Sequence, residues 1–131
     1  MNDLIESIKL HEGFKSKPYP DPIHGWDVPT FGHGLTYITE AESEMIVRNR
    51  VETIREELGV RKPFFKTLTE SRQNALIEMA YQLGVGGLMQ FKKMWAAIEA
   101  RDFDAARTEA LDSRWAAQTP DRANSVVEKL R

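Results

Sequence analysis

Residues 16–38 read SKPYPDPIHGWDVPTFGHGLTYI, and this stretch decides the fold. Pro18, Pro20, Pro22 and Pro29 fall within it, together with Gly25, Gly32 and Gly34. Prolines so closely spaced exclude a helix interior, because each lacks an N–H and clashes with the turn before it. Between them stand Trp26, Val28, Thr30, Phe31, Leu35, Thr36, Tyr37 and Ile38, which favour extended backbone. The stretch is expected to form a small, irregular β-hairpin or three-stranded patch. Such a patch is too small to be a domain by itself.

On both sides the pattern is helical. Residues 3–12 carry capping-box spacing at Asp3 and Glu6 and an apolar face of Leu4, Ile5 and Ile8, with Gly13 as the stop. Thr39 and Glu42 form a second capping box ahead of Met45, Val47, Val51, Ile54 and Leu58, a helix-period stripe that Gly59 ends. Residues 61–68 predict a loop or short helix. Thr69 opens a helix that closes at Gly84, and Gly84-Val85-Gly86-Gly87 is expected to be a break. Further helices are expected over Met89–Ala100 and Phe103–Leu111, with a short one near Ser113–Ala117. A last helix runs from Pro120 to Leu130 with Thr119 as its cap. The whole is an α+β, mostly helical architecture: a β patch at about 13–38, a connecting helix at 40–58, and a helical lobe from 1–12 and 60–131. We expect residues 1–131 to form one two-lobed domain.

Composition agrees with a single globular domain. The chain has 131 residues, 41% hydrophobic and 29% charged, which excludes a disordered or low-complexity segment. It has no cysteine, so a disulfide scaffold, a thiolate zinc site and a cysteine nucleophile are excluded. Its net charge of −2 is too low for a basic nucleic-acid footprint, and no nucleic-acid partner is expected. The N-terminal residues are acidic and amphipathic, without the basic and apolar regions of a secretion signal. No apolar run reaches the roughly 18–20 residues of a membrane span. Cytoplasmic accumulation without stable membrane insertion is therefore expected.

Chemistry-bearing residues crowd the irregular segment. Glu12 ends a helix beside Gly13, where the helix dipole and partial burial both disfavour a charged carboxyl, as a general acid requires. Asp21 sits between prolines in a rigid turn, a polar setting suited to an ionised carboxylate. Two carboxyl groups in contrasting environments suit glycosidic bond hydrolysis. Spacing alone favours the plainer reading of a surface glutamate and a turn aspartate. His11, His24, His33 and Asp21 match no standard metal spacing. Trp95 and Trp115 read as core anchors, whereas Trp26 projects from the irregular segment as a candidate sugar contact.

His11-Glu12-Gly13-Phe14, Pro18-Tyr19-Pro20-Asp21 and Pro29-Thr30-Phe31-Gly32-His33-Gly34 resemble the signature of the phage T4-type lysozymes, the endolysins of glycoside hydrolase family 24. The run from Ala75 through Tyr81-Gln82-Leu83-Gly84 resembles that family's central helix. Ser113-Arg114-Trp115 and Gln118-Thr119-Pro120-Asp121-Arg122-Ala123 resemble its long C-terminal motif. The resemblance implies the T4-lysozyme-like fold and a muramidase that cleaves the β-1,4 bond between N-acetylmuramic acid and N-acetylglucosamine in peptidoglycan, with inversion. It places Glu12 as the general acid, Asp21 as the second carboxylate and Thr30 as the hydroxyl lining the approach of water. It places Arg122 as a partner of the acid, Tyr81 as a cleft aromatic and Gln82 as a tie between lobes. No cofactor or metal is implied, and a monomer acting on peptidoglycan glycan strands is expected.

Three departures stand out. The segment between Asp21 and Thr30 is three residues longer than the family usually allows, so Asp27 competes with Asp21. Leu35 stands where many relatives have histidine, and His33 lies two positions earlier, as a substitute in space or a turn residue. The chain is also slightly acidic, unlike most enzymes that act on anionic walls. Two other readings stay open. A lytic transglycosylase would leave an anhydro sugar and needs no water-directing carboxylate, and a non-catalytic wall-binding, tail or toxin module would have an altered Glu12, Asp21 or Thr30.

Overall fold

The computed structural model describes residues 2–131. The fold is α+β and mostly helical, with one two-stranded antiparallel hairpin and eight α-helices among the described residues. The chain divides into two compact units, the first ending at Met45 and the second spanning Ile46–Arg131.

The first unit opens with α1, Asn2–Glu12, which Gly13 ends as expected. Gly13 takes φ +70° and its N–H donates to the Lys9 carbonyl at 2.9 Å. Strands β1 (Lys15–Asp21) and β2 (Gly25–Gly32) then pair antiparallel, with Tyr19 opposite Thr30 and Pro20 opposite Pro29. The register is broken on both sides of the Tyr19–Pro20 pair, because a ladder cannot stay regular where facing residues lack an N–H. Thr36, Tyr37 and Ile38 add no third strand. Phe31 and Leu35 instead exchange both backbone hydrogen bonds at 2.8 Å, folding 32–34 into a tight loop.

Helix α2, Glu40–Arg61, starts in the first unit and continues in the second. Its capping box forms in full: the Thr39 N–H donates to Glu42 Oε1 at 2.9 Å and the Glu42 N–H to Thr39 Oγ1 at 3.2 Å. Gly59 does not end this helix. It is buried, and a Cβ there would lie 3.0 Å from Cε of Lys66, so its small size serves close approach rather than termination. Pro63 begins a 3₁₀ turn, Pro63–Thr67, two residues past the helix end.

The second unit holds the core. Helix α3 (Glu70–Leu83) is capped by Thr69, whose Oγ1 accepts from the Arg72 N–H at 3.3 Å. Only Gly84 (φ +79°) breaks the chain after it. Val85–Met89 forms a short helix, α4, against expectation. Burial of Leu88 outweighs the poor helix propensity of Gly86 and Gly87. Gln90 and Phe91 separate α4 from α5, Lys92–Glu99, which is shorter than the periodicity suggested. Helices α6 (Phe103–Leu111), α7 (Arg114–Gln118) and α8 (Pro120–Glu128) complete the unit. Thr119 does not cap α8 with its side chain. Its hydroxyl donates back to the Trp115 carbonyl at 2.9 Å and so closes α7. Leu58, Phe65, Leu76, Met79, Leu88, Met94, Trp95, Ile98, Trp115 and Leu130 are among the buried side chains of one continuous core. Trp95 and Trp115 are core anchors, as their flanking patterns suggested.

Candidate active site

The first unit carries five of the anticipated residues: Glu12, Asp21, Trp26, Thr30 and His33. Glu12 is the last residue of α1, at the negative end of the helix dipole. It is exposed rather than partly buried. Its carboxyl lies against the backbone of Gly34 in the loop after β2. An ideal Cβ on Gly34 would overlap Glu12 Oε2 and sit 2.8 Å from Cδ. Beside this approach the Phe14 and His33 rings lie 5.2 Å apart, tilted by 47°. His33 therefore packs on the residue that follows the Glu12-Gly13 corner.

Asp21 ends β1 and is half-buried. Its Oδ2 accepts from the Ile23 and His24 N–H groups, both at 3.1 Å. This Asx turn reverses the chain into β2 and holds the carboxylate plane fixed. Asp27 lies across the same turn on β2, exposed, and its N–H donates to the His24 carbonyl at 3.3 Å. The backbone thus orients the Asp21 side chain, whereas Asp27 contributes its amide to the turn. Thr30 is the one buried polar side chain among the described residues, at 7% exposure. Its hydroxyl donates to the Val28 carbonyl at 3.5 Å, a long hydrogen bond. Trp26 is 67% exposed at the start of β2, free to meet a ligand.

The second unit carries the other anticipated residues. Tyr81, on α3, is 42% exposed. Gln82 accepts at Oε1 from the Trp115 indole N–H at 2.8 Å, and its Nε2 donates to Thr119 Oγ1 at 3.5 Å. Its hydrogen bonds thus join α3 to α7 within the second unit. Arg122 is exposed on the first turn of α8. A cavity of about 730 Å³ opens between α4, α5, α6 and α7, lined among others by Phe91, Lys92, Lys93, Arg114 and Trp115. No motif in the sequence marks this cavity. Gly34 belongs to the motif that runs from Pro29 to Gly34, but its approach to Glu12 emerges only in three dimensions.

The helix-ending glutamate, the turn-held aspartate and the buried threonine fall in the order of the sequence signature, and the chain matches the phage lysozyme family over residues 9–130. The chain belongs to the phage lysozyme family. It is 30% identical over 96 residues to Probable T4-type lysozyme 1 of Dictyostelium discoideum, covering 71% of this chain and 56% of that protein. It is 42% identical over 65 residues to the Pre-baseplate central spike protein Gp5 of Enterobacteria phage T4, covering 50% of this chain and 11% of the spike. Over 55 residues it is 36% identical to Peptidoglycan hydrolase gp36 of Pseudomonas phage phiKMV, covering 42% of this chain and 6% of that protein. The chain thus spans less than two thirds of the length of each of these relatives. Among the described residues no helix is long and apolar enough to cross a membrane.

Proposed function

We propose that this phage lysozyme family member is a muramidase that hydrolyses the β-1,4 bond between N-acetylmuramic acid and N-acetylglucosamine in peptidoglycan. The observation that carries the reading is the pair of differently held carboxyl groups in one unit: Glu12 at a helix end against Gly34, and Asp21 in its Asx turn. Glu12 protonates the leaving glycosidic oxygen. Asp21 activates a water on the opposite face of the sugar, with Thr30 lining the approach of that water. Attack from the face opposite the leaving group inverts the anomeric carbon. Tyr81, Gln82, Arg122, Trp26 and His33 support the site or bind the glycan strand. The protein acts as a monomer, accumulating in the host cytoplasm and meeting the wall on release to cause lysis. No cofactor takes part in this chemistry.

The test is loss of turbidity by outer-membrane-permeabilised Gram-negative cell walls, wild type beside Glu12→Gln, with the soluble fragments read by mass spectrometry. Clearing by wild type alone, with reducing muramic-acid ends, is the expected outcome. Anhydro ends would assign a lytic transglycosylase instead. The 42% identity to a phage spike protein favours one second reading, a wall-directed module of a phage assembly. Wall binding without clearing by folded wild type would establish it.

A further inference from the structure

We propose that Gly34 is the positioning residue for Glu12, its lack of a side chain leaving the space that the acid occupies. The inference rests on the reading of Glu12 as the general acid. The geometry behind it is local to the first unit. The Glu12 carboxyl occupies the space that a side chain at position 34 would fill, with Cγ 3.2 Å and Cδ 2.8 Å from an ideal Cβ. The loop is closed and packed beside this approach. The two hydrogen bonds between Phe31 and Leu35 close it at 2.8 Å each, and the His33 ring packs on Phe14 just beyond the Glu12-Gly13 corner. Two adjacent residues of the loop thus meet residues on both sides of that corner, one at the acid and one beyond it.

Gly32, in the same loop, separates this role from a plain need for left-handed backbone. Both glycines have positive φ, +57° at Gly32 and +73° at Gly34. A Cβ on Gly32, however, would meet only the flexible Leu35 side chain, at 3.2 Å from Cδ1. Substitution at either position strains the backbone, but only substitution at Gly34 displaces the acid. Small misplacement of a reacting group costs on the order of a hundredfold in rate.

Thermal stability and steady-state kinetics on solubilised glycan strands test this together. Gly34→Ala is expected to lower kcat by about ten- to a hundredfold with KM within about twofold. Gly32→Ala is expected to lower Tm while keeping kcat within about threefold of wild type. Gly34→Asn tolerates positive φ yet retains a Cβ, so it should lose kcat as Gly34→Ala does. It also serves as the test if the alanine variant does not fold. Independently of activity, the Tm loss from Gly34→Ala should be smaller in a Glu12→Ala background, by the part that the carboxyl rather than the backbone strain contributes. An equal Tm loss in both backgrounds would overturn the contact, and unchanged kcat in Gly34→Asn would overturn the positioning role. Wild type that folds but cleaves nothing would remove the role together with the muramidase reading, while the Tm coupling would still decide the contact.

Discussion

At the scale of single residues, the two carboxyl groups differ in what fixes them. Asp21 is oriented by two amides of its own turn, whereas Asp27 has no such role for its carboxylate. Asp21→Asn keeps an oxygen for those amides but loses the negative charge that would activate water. We expect Glu12→Gln to abolish wall clearing with an unchanged circular dichroism spectrum, Asp21→Asn to do nearly the same, and Asp27→Asn to retain most activity. Activity in Asp21→Asn together with loss in Asp27→Asn would reverse the two roles. The helix stop at Glu12-Gly13 and the proline turn at Asp21 leave local signatures, whereas Thr30 was singled out only by the resemblance to the phage T4-type lysozymes. The approach of Gly34 to Glu12 was not legible. It joins residues 22 positions apart through a loop whose closure depends on the Phe31–Leu35 pair.

At the scale of elements, the N-terminus of α2 is set by reciprocal hydrogen bonds that sequence spacing alone identified. The Thr39 backbone N–H, and secondarily its hydroxyl, hold the Glu42 carboxyl below the ordinary glutamate value. A lowered folded value means that this contribution to stability is fully present above the unfolded value, roughly pH 4.3. It is lost as pH falls through the folded value. The stability difference between wild type and Glu42→Gln, followed by urea unfolding, should therefore shrink as pH drops below about 4. A difference that stays constant down to pH 2 would refute it. At Thr69, which caps α3, Thr69→Ala should cost about 1 kcal/mol by the same measurement. Elements were misread where glycine was taken as punctuation. Gly59, Gly86 and Gly87 lie inside helices, because tertiary packing of Lys66 and Leu88 overrides propensity there.

At the scale of the whole molecule, burial is divided unequally. Among the described residues, every buried hydrophobic side chain of the core, from Leu58 to Leu130, belongs to the second unit, while the first buries Thr30. In the first unit Leu4, Ile5, Ile8, Leu10, Phe14 and Trp26 are exposed. Native-state amide exchange should therefore show hairpin amides opening at lower free energy than those of α3. Equal protection in both would contradict this division. A core truncation such as Leu76→Ala should cost about 2–5 kcal/mol and lower protection throughout α3. The α+β class was legible from the abrupt change of periodicity at residues 16–38. Which residues would form the continuous core was legible only in part, since the apolar stripe of α2 is exposed at Met45 and Val47 and reaches full burial at Leu58.

The prolines of the hairpin have a further consequence for solubility. A sheet of two strands has two open edges, each able to recruit a strand from another chain. Pro18 and Pro20 in β1 and Pro29 in β2 keep both strands irregular, which makes each open edge a poor template for an incoming strand. Replacing all three with threonine or valine would tidy the ladder that Pro20 and Pro29 now interrupt. It would also turn the hairpin into a template for intermolecular β-assembly at high concentration.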